Sequence, residues 1–130
     1  MMAHATVEWT DNLEGAFDLR ALLQLIAYDM RENADGVFPI GGIRVRAIRL
    51  NDYVIADDAS SDYAFINIDV KMGAGRPAEF RKVFFDAMFD RIRLQLGDLF
   101  DRRPVALSLY VVEAEGWKHN SIHQRLGKSA

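Results

Sequence analysis

The sequence predicts an α/β (α+β) fold, in which two β-α-β units form a four-stranded sheet with two helices on one face. The first observation is the order of the periodic segments, which is strand, helix, strand, and then the same three again. The second is that each connection is long enough to hold a helix, so both crossovers should be right-handed and join parallel strands. The third is that two helices can cover only one face of a four-stranded sheet.

The composition predicts one globular domain over residues 1–130, because 50% of the residues are apolar and 11% are aromatic. A net charge of −3 without a basic stripe argues against a nucleic-acid partner. The absence of cysteine excludes disulfides, thiol catalysis and thiolate metal sites. No signal-peptide pattern and no apolar run of about 18 residues is present, so we expect a cytoplasmic protein without a membrane partner.

The first unit begins with a strand over His4–Trp9. Asp11 and Glu14 have the spacing of a capping box, which predicts that a helix starts there and runs for roughly five turns. Its second strand covers Ile43–Leu50. The apolar face of the helix comprises Leu19, Leu22, Leu23, Ile26 and Met30.

The second unit follows a polar loop over Asn51–Asp62 and starts with a strand over Tyr63–Lys71. Pro77 is expected at the first position of the second helix, which Asp101–Pro104 ends. The last strand covers Val105–Glu113. The predicted buried stripe of the second helix comprises Phe80, Val83, Phe84, Ala87 and Met88, and is prolonged by Leu96 and Leu99.

The sheet face without helices is predicted to be partly apolar. Tyr63 and Phe65 share this face of the third strand with Asn67 and Asp69. A face of this kind requires a cover, and self-association is the simplest one, since obligate interfaces resemble a core cut in two.

Three arginines are the best candidates for binding an anion. Arg44 and Arg46 are two apart on a strand, so their guanidinium groups share a face. Arg76 follows a glycine-rich break and precedes a helix, whose first amides are unpaired and whose dipole is positive there. A guanidinium group can form two parallel hydrogen bonds to one carboxylate. Taken singly, each is more often a solvated or paired surface residue.

Other chemistry-bearing residues have simpler explanations. His119 and His123 are four apart, but no glutamate completes a metal motif, so no metal site is expected. His4, on the first strand, is most simply a hydrogen-bonded structural histidine. The paired acids are most simply solvated: Asp57 with Asp58, and Asp86 with Asp90.

From Ala3 to about Gln124 the chain resembles the 5-carboxymethyl-2-hydroxymuconate isomerase family of the tautomerase superfamily. No single motif is specific, but their order and spacing together are. The residues that carry the resemblance are His4, Val7-Glu8, Asp11-Asn12, Gly36-Val37-Phe38-Pro39, Gly42-Ile43-Arg44, Arg46, Asp62-Tyr63-Ala64-Phe65, Lys71, Gly73-Ala74-Gly75-Arg76, Ala106-Leu107-Ser108, Lys118, Asn120 and His123.

The resemblance implies a tautomerase-like fold with a mixed sheet, and a homotrimer whose sheets face inward. The tail, residues 114–130, would pack on a neighbouring subunit. It also implies a cofactor-free isomerase of aromatic-compound catabolism, which moves a proton between carbons of a carboxylated dienol. Arg44 and Arg76 would bind carboxylates and stabilise the oxyanion, while Arg46 and His4 would complete the substrate-binding set.

One position departs from the family pattern. The family's base is an amino-terminal proline, whereas this chain has Ala3, preceded by Met1-Met2. The nitrogen of Ala3 is then a peptide amide, which is no base. Three other groups are open as replacements: the Met1 amine, with an ordinary pKa of about 7.7–8.0, His4 and Glu8.

Activity is therefore expected to be altered or lost. The alternative function is a non-catalytic trimeric binder of small carboxylic acids. A third interpretation of the same order of elements is a ferredoxin-like regulatory module, which the strand order would distinguish.

Overall fold

The computed structural model describes residues 2–126. Short 3-10 turns also occur at Asp11–Leu13 and Ile40–Gly42. The strands and helices, in chain order, are β1 (Ala3–Thr10), α1 (Leu19–Glu32), β2 (Ile43–Leu50), β3 (Ala64–Met72), α2 (Ala78–Leu96), α3 (Leu99–Arg102), β4 (Val105–Glu113) and α4 (Ile122–Leu126).

The four strands form one mixed sheet in the order β2-β1-β3-β4. β1 pairs parallel with β2, and β3 pairs parallel with β4, while β1 and β3 are antiparallel. The two predicted β-α-β units are therefore confirmed, and they join along their first strands. Because the two strands of each unit stay adjacent, with no strand of the other unit between them, the ferredoxin-like alternative is wrong.

The core lies between the sheet and the helices, as the alternation in the strands predicts. One face of β3 is buried throughout, with Ile66 and Ile68 fully inaccessible, and it packs with Val7 of β1 and Met88 of α2. The loop between β2 and β3 coincides with the polar stretch that the sequence predicts to be a loop. The bounds of β2 and β4 are the predicted ones.

The first helix starts later than predicted. Asp11 begins only a short 3-10 turn, and its carboxylate accepts a hydrogen bond from the Tyr53 hydroxyl at 2.7 Å. Gly15 then adopts a φ of +78°, which breaks the helical path. The N-cap of α1 is instead Asp18, whose side chain accepts from the Ala21 amide at 3.0 Å. The predicted capping box at Asp11 is therefore wrong.

The second helix ends earlier than predicted, and one residue of its stripe is exposed. Gly97 has a φ of +61°, and its amide donates to the carbonyls of Arg93 and Leu94, which closes the helix. Leu99 is buried, but in the separate helix α3. Val83, predicted in the core, is 64% exposed, because Phe84 and Phe85 turn towards the sheet instead.

The tail packs on the segment that leads into β2. The Asn120 side chain donates to the Gly41 carbonyl at 2.7 Å. A methyl group on Gly41 would collide with the ring of His123, so the tail and the turn fit closely. Packing of residues 114–130 on a neighbouring subunit stays a prediction, and 127–130 lie outside the described residues. Within the described chain, no helix has the length and apolar character needed to cross a bilayer.

An ion pair joins the two helices of the covered face. Asp29 of α1 is buried and accepts from Arg91 of α2 at 2.8 and 2.9 Å, and from the Asn33 amide at 2.7 Å. Two side chains, those of Arg91 and Asn33, therefore replace water as the donors to the Asp29 carboxylate.

Arg91→Ala is expected to lower the free energy of unfolding by about 1–3 kcal/mol, because it leaves a buried carboxylate short of a donor. Lys82→Ala is the matched control on the same helix. It removes a solvent-exposed pair with Asp86 and should change little. Urea denaturation of both variants measures the difference, and equal losses would contradict the structural role of the buried pair.

Candidate carboxylate-binding site on the open sheet face

The sheet face turned away from the helices carries side chains in register across all four strands. Ile48, Tyr110 and Val112 on this face are 45%, 61% and 55% exposed. We call it the open face. Its three rows, read from β2 to β4, are Arg44-His4-Lys71-Val112, Arg46-Thr6-Asp69-Tyr110 and Ile48-Glu8-Asn67-Ser108.

An amide binds both carboxylates of the open face. Asn67 donates to Asp69 at 3.0 Å and to Glu8 at 3.4 Å, and its own carbonyl accepts from Ser108 at 2.6 Å. Glu8 lies in the third row, whereas Asp69 lies in the second row with Arg46. Within residues 2–126, none of the three cations in the first and second rows forms an ion pair with a carboxylate. These cations are Arg44, Arg46 and Lys71, and we call the part of the open face that carries them the cationic end.

His4 lies at the centre of the cationic end. Its Nε2 is 2.6 Å from a terminal nitrogen of Arg44, its register partner on β2. Partial burial lowers the pKa of His4 below its ordinary value of 6.5, and nearby positive charges lower this pKa further. The charges, in decreasing order of effect, belong to Arg44, Arg46, Lys71 and Lys118. His4 is therefore neutral at neutral pH.

A cavity of about 320 Å³ opens beside His4. The basic groups Arg46 and Lys71 line it together with Thr6 and with the carboxylates of Glu8 and Asp69. The two basic groups, which have no ion-pair partner within residues 2–126, suit a carboxylate or an oxyanion. Of the residues predicted from the sequence, the structure brings His4 and Arg46 together in this cavity and joins Arg44 to His4 by the hydrogen bond.

Arg76 lies at the same end of the sheet, beyond the end of β3. Its guanidinium group donates to the Val37 carbonyl at 3.4 Å. The Gly75 amide beside it donates to Glu113 at 3.1 Å, so this amide is already occupied by a carboxylate of the chain. Convergence of Arg76 with Arg44 around one ligand stays a prediction.

Ala3, which the resemblance puts at the position of the family's proline, is buried inside β1. It pairs with Ile43 on one side and Met72 on the other. The carbonyl of Met2 before it accepts from the Gly73 amide at 3.4 Å. Its nitrogen therefore lies within the hydrogen-bonded sheet. Met1, whose amine is a candidate base, lies outside the described residues.

Two cations near His4 were not among the predicted site residues. Lys71 could have been found, because period-2 alternation places it on the same face of the third strand as Asn67 and Asp69. Lys118 follows no periodic pattern, and only its place in the folded tail brings it within electrostatic range of His4.

A family model described as 5-carboxymethyl-2-hydroxymuconate isomerase matches residues 3–126. The chain belongs to this family. A 5-carboxymethyl-2-hydroxymuconate Delta-isomerase of Escherichia coli is 32% identical over 125 residues, which are 94% of this chain and 97% of that protein. The crystal structure of a 5-carboxymethyl-2-hydroxymuconate isomerase from Deinococcus radiodurans R1 is 36% identical, with a TM-score of 0.86 over 95% of this chain and 93% of that one.

More distant structures share the fold of the isomerase family. A member of the cis-3-chloroacrylic acid dehalogenase family is 16% identical with a TM-score of 0.57, over 89% of this chain and 79% of that one. A fused 4-OT is 20% identical with a TM-score of 0.52, over 90% and 93%. The tautomerase-like fold, a four-stranded mixed sheet with its helices on one face, is thereby confirmed.

The lowered pKa of His4 predicts a specific loss of stability in acid. The folded chain keeps His4 neutral, while the unfolded chain takes up a proton near the ordinary value of 6.5. Above that pH His4 is neutral in both the folded and the unfolded chain, so its titration does not change the free energy of unfolding. Below it the unfolded state binds more protons, so stability falls until the pH passes the folded-state pKa. His4→Gln, which cannot titrate, should lose less stability between about pH 7 and about pH 5.

Urea denaturation at several pH values measures both proteins. Curves for the wild type and the variant that run parallel across this range would contradict the lowered pKa.

Proposed function

We propose that this protein is a cofactor-free isomerase of carboxylated dienols, of the type represented by 5-carboxymethyl-2-hydroxymuconate. The observation that carries the proposal, beside the family match, is the cationic end of the open face. There Arg44, Arg46 and Lys71 surround a neutral histidine. None of the three cations forms an ion pair with a carboxylate within residues 2–126. A substrate with two or more carboxylates supplies the missing negative charge.

In the proposed reaction, a base removes a proton from one carbon of the substrate, and a dienol intermediate forms. The proton then returns to another carbon, so that the double bond moves and no atoms are gained or lost. Arg44 and Arg76 bind the carboxylates and stabilise the negative charge that develops on oxygen, assisted by Arg46. Donors fixed in place before the reaction favour this transition state over the ground state.

The base is not the nitrogen of Ala3, because a peptide nitrogen in a sheet has no available lone pair. His4 is a poor base as well, since its Nε2 faces the guanidinium group of Arg44. Glu8 lines the cavity and accepts only a long hydrogen bond from Asn67. The remaining candidates are therefore the Met1 amine and Glu8, and a positioned base of either kind contributes about 10²–10⁴-fold in rate.

A second candidate function is a non-catalytic binder of small carboxylic acids. The observation in its favour is the burial of Ala3 within β1, where the family has its catalytic proline. The cationic end of the open face would keep its affinity for acids without that base. The two functions differ only in turnover, and one set of variants tests both.

The proposal includes a homotrimer. Its support is the exposed apolar surface of the open face, together with the fused 4-OT structure, which is described as a symmetric trimer. Aromatic-compound catabolism as the setting accompanies the family resemblance. This setting and the cytoplasmic location both remain predictions.

Arg44→Ala and Arg76→Ala are each expected to lower the rate of 2-hydroxymuconate ketonisation by about 10²–10³-fold, as removal of one oxyanion donor does. Both should also abolish calorimetric binding of dicarboxylates. Arg20→Ala, a substitution on α1, serves as the matched arginine control. Sedimentation checks that every variant keeps the wild-type oligomeric state. A wild-type rate equal to that of buffer, with binding retained, would select the non-catalytic binder.

Restoring the family's amino terminus should raise the activity. In this variant Met2 and Ala3 are deleted and a proline follows Met1, so that removal of Met1 exposes a secondary amine at the start of β1. We expect a gain of about 10²–10⁴-fold in ketonisation, the range of a positioned base. Mass spectrometry verifies the removal of Met1. No gain in a folded, processed protein would contradict the assignment of the arginines to the site.

A further inference from the structure

The contact between His4 and Arg44 fixes the protonation state of the imidazole ring. A guanidinium group carries five N–H donors and no acceptor. The nitrogen that lies 2.6 Å from it, Nε2 of His4, must therefore accept the hydrogen bond with its lone pair. A neutral imidazole with a bare Nε2 carries its proton on Nδ1. The geometry thus selects one tautomer of a neutral ring.

The surroundings of His4 oppose a second proton. The charged groups that act on it are cations from three parts of the chain: Arg44 and Arg46 on β2, Lys71 on β3 and Lys118 in the tail. The carboxylates of the same face, Glu8 on β1 and Asp69 on β3, line the same cavity, but they accept hydrogen bonds from the Asn67 amide and not from His4. An imidazolium would lose the Arg44 hydrogen bond and add a fifth positive charge.

The remaining polar atom of the ring is Nδ1, and it has no hydrogen-bond partner among residues 2–126. His4 lines the cavity together with Thr6, Arg46 and Lys71. All four side chains can donate hydrogen bonds, and three of them belong to the cationic end of the open face. The two carboxylates of the cavity are bound by Asn67, and Arg46 and Lys71 have no ion-pair partner within residues 2–126. An N–H with no acceptor beside these cations is suited to an oxygen atom of a bound anion.

We propose that His4 is a neutral hydrogen-bond donor to a carboxylate or enolate oxygen of the ligand, through an Nδ1–H that Arg44 holds in place. The identity of the ligand class rests on the proposed function. A neutral donor of this kind polarises an oxygen without releasing its own proton, so it stabilises the oxyanion over a wide pH range. Arg44 then has two roles, since it both contacts the ligand and sets the tautomer of His4.

The first experiment determines the tautomer without any ligand. In two-dimensional NMR of the ¹⁵N-labelled protein at neutral pH, Nδ1 of His4 should have the shift of a protonated nitrogen and Nε2 that of a bare one. Arg44→Leu should return the ring to the Nε2–H form or to a mixture. Arg46→Leu is the matched control, because it removes a neighbouring charge and leaves the hydrogen bond. A wild-type ring with its proton on Nε2 would overturn the proposal.

The second experiment separates donation to the ligand from support of Arg44. His4→Gln can still accept from Arg44 but has no group at Nδ1, whereas His4→Asn places an amide N–H near Nδ1 and cannot reach Arg44. Calorimetry with adipate, a dicarboxylate, should show roughly 10–100-fold weaker binding for His4→Gln. His4→Asn should stay within a few-fold of the wild type. The reverse order would overturn the donor role and leave His4 as a positioning residue.

Failure of this inference and failure of the proposed function give different results. If the wild type isomerises 2-hydroxymuconate and His4→Gln binds adipate as the wild type does, the donor role is wrong and the proposed function stands. If the wild type neither binds adipate nor isomerises, the proposed function is wrong. The donor role then falls with it, even where NMR shows the Nδ1–H tautomer.

Discussion

The pairing of β1 on both of its edges is the constraint on which the rest of the structure depends. As a central strand it has one register with β2 and one with β3, and these registers place His4 between Arg44 and Lys71. A slip of one residue would turn the buried set of β1 onto the open face and His4 into the core. The burial of Ala5 and Val7 under the helices therefore also fixes the position of the row Arg44-His4-Lys71.

The open face keeps positive charge without ion pairs because its carboxylates are bound by an amide. Asn67 donates to Glu8 and Asp69, and neither carboxylate forms an ion pair with Arg44, Arg46 or Lys71 within residues 2–126. Neighbouring cations repel one another, although water and salt weaken the repulsion on an exposed face. A neutral His4 between Arg44 and Lys71 limits the repulsion further, since it separates two charges without adding a third. An anion at the cationic end of the face would replace repulsion by attraction.

Local patterns predicted the parts of this fold that depend on local physics. Alternation gave the bounds of β2 and β4 and placed Arg44 and Arg46 on one face. The start of α1 could not be predicted in the same way, because the Asp11 carboxylate is engaged by Tyr53, a residue of a distant loop. The protonation state of His4 could not be predicted either, because it depends on strand registers and on a tail lysine that come together only in the folded chain.

The departure at Ala3 separates two properties that an amino-terminal proline would combine in one place. Binding of an acid requires donors at fixed positions, and the rows of the open face provide them without any contribution from the chain terminus. Proton transfer requires a lone pair of suitable pKa near the reacting carbon, and at the start of β1 the backbone nitrogen of Ala3 lacks one. Since its lone pair is delocalised into the peptide bond, no rearrangement of side chains can make this nitrogen basic. Under the proposed function, binding and turnover therefore depend on different groups, and a change that supplies a base need not alter the donors that hold the acid.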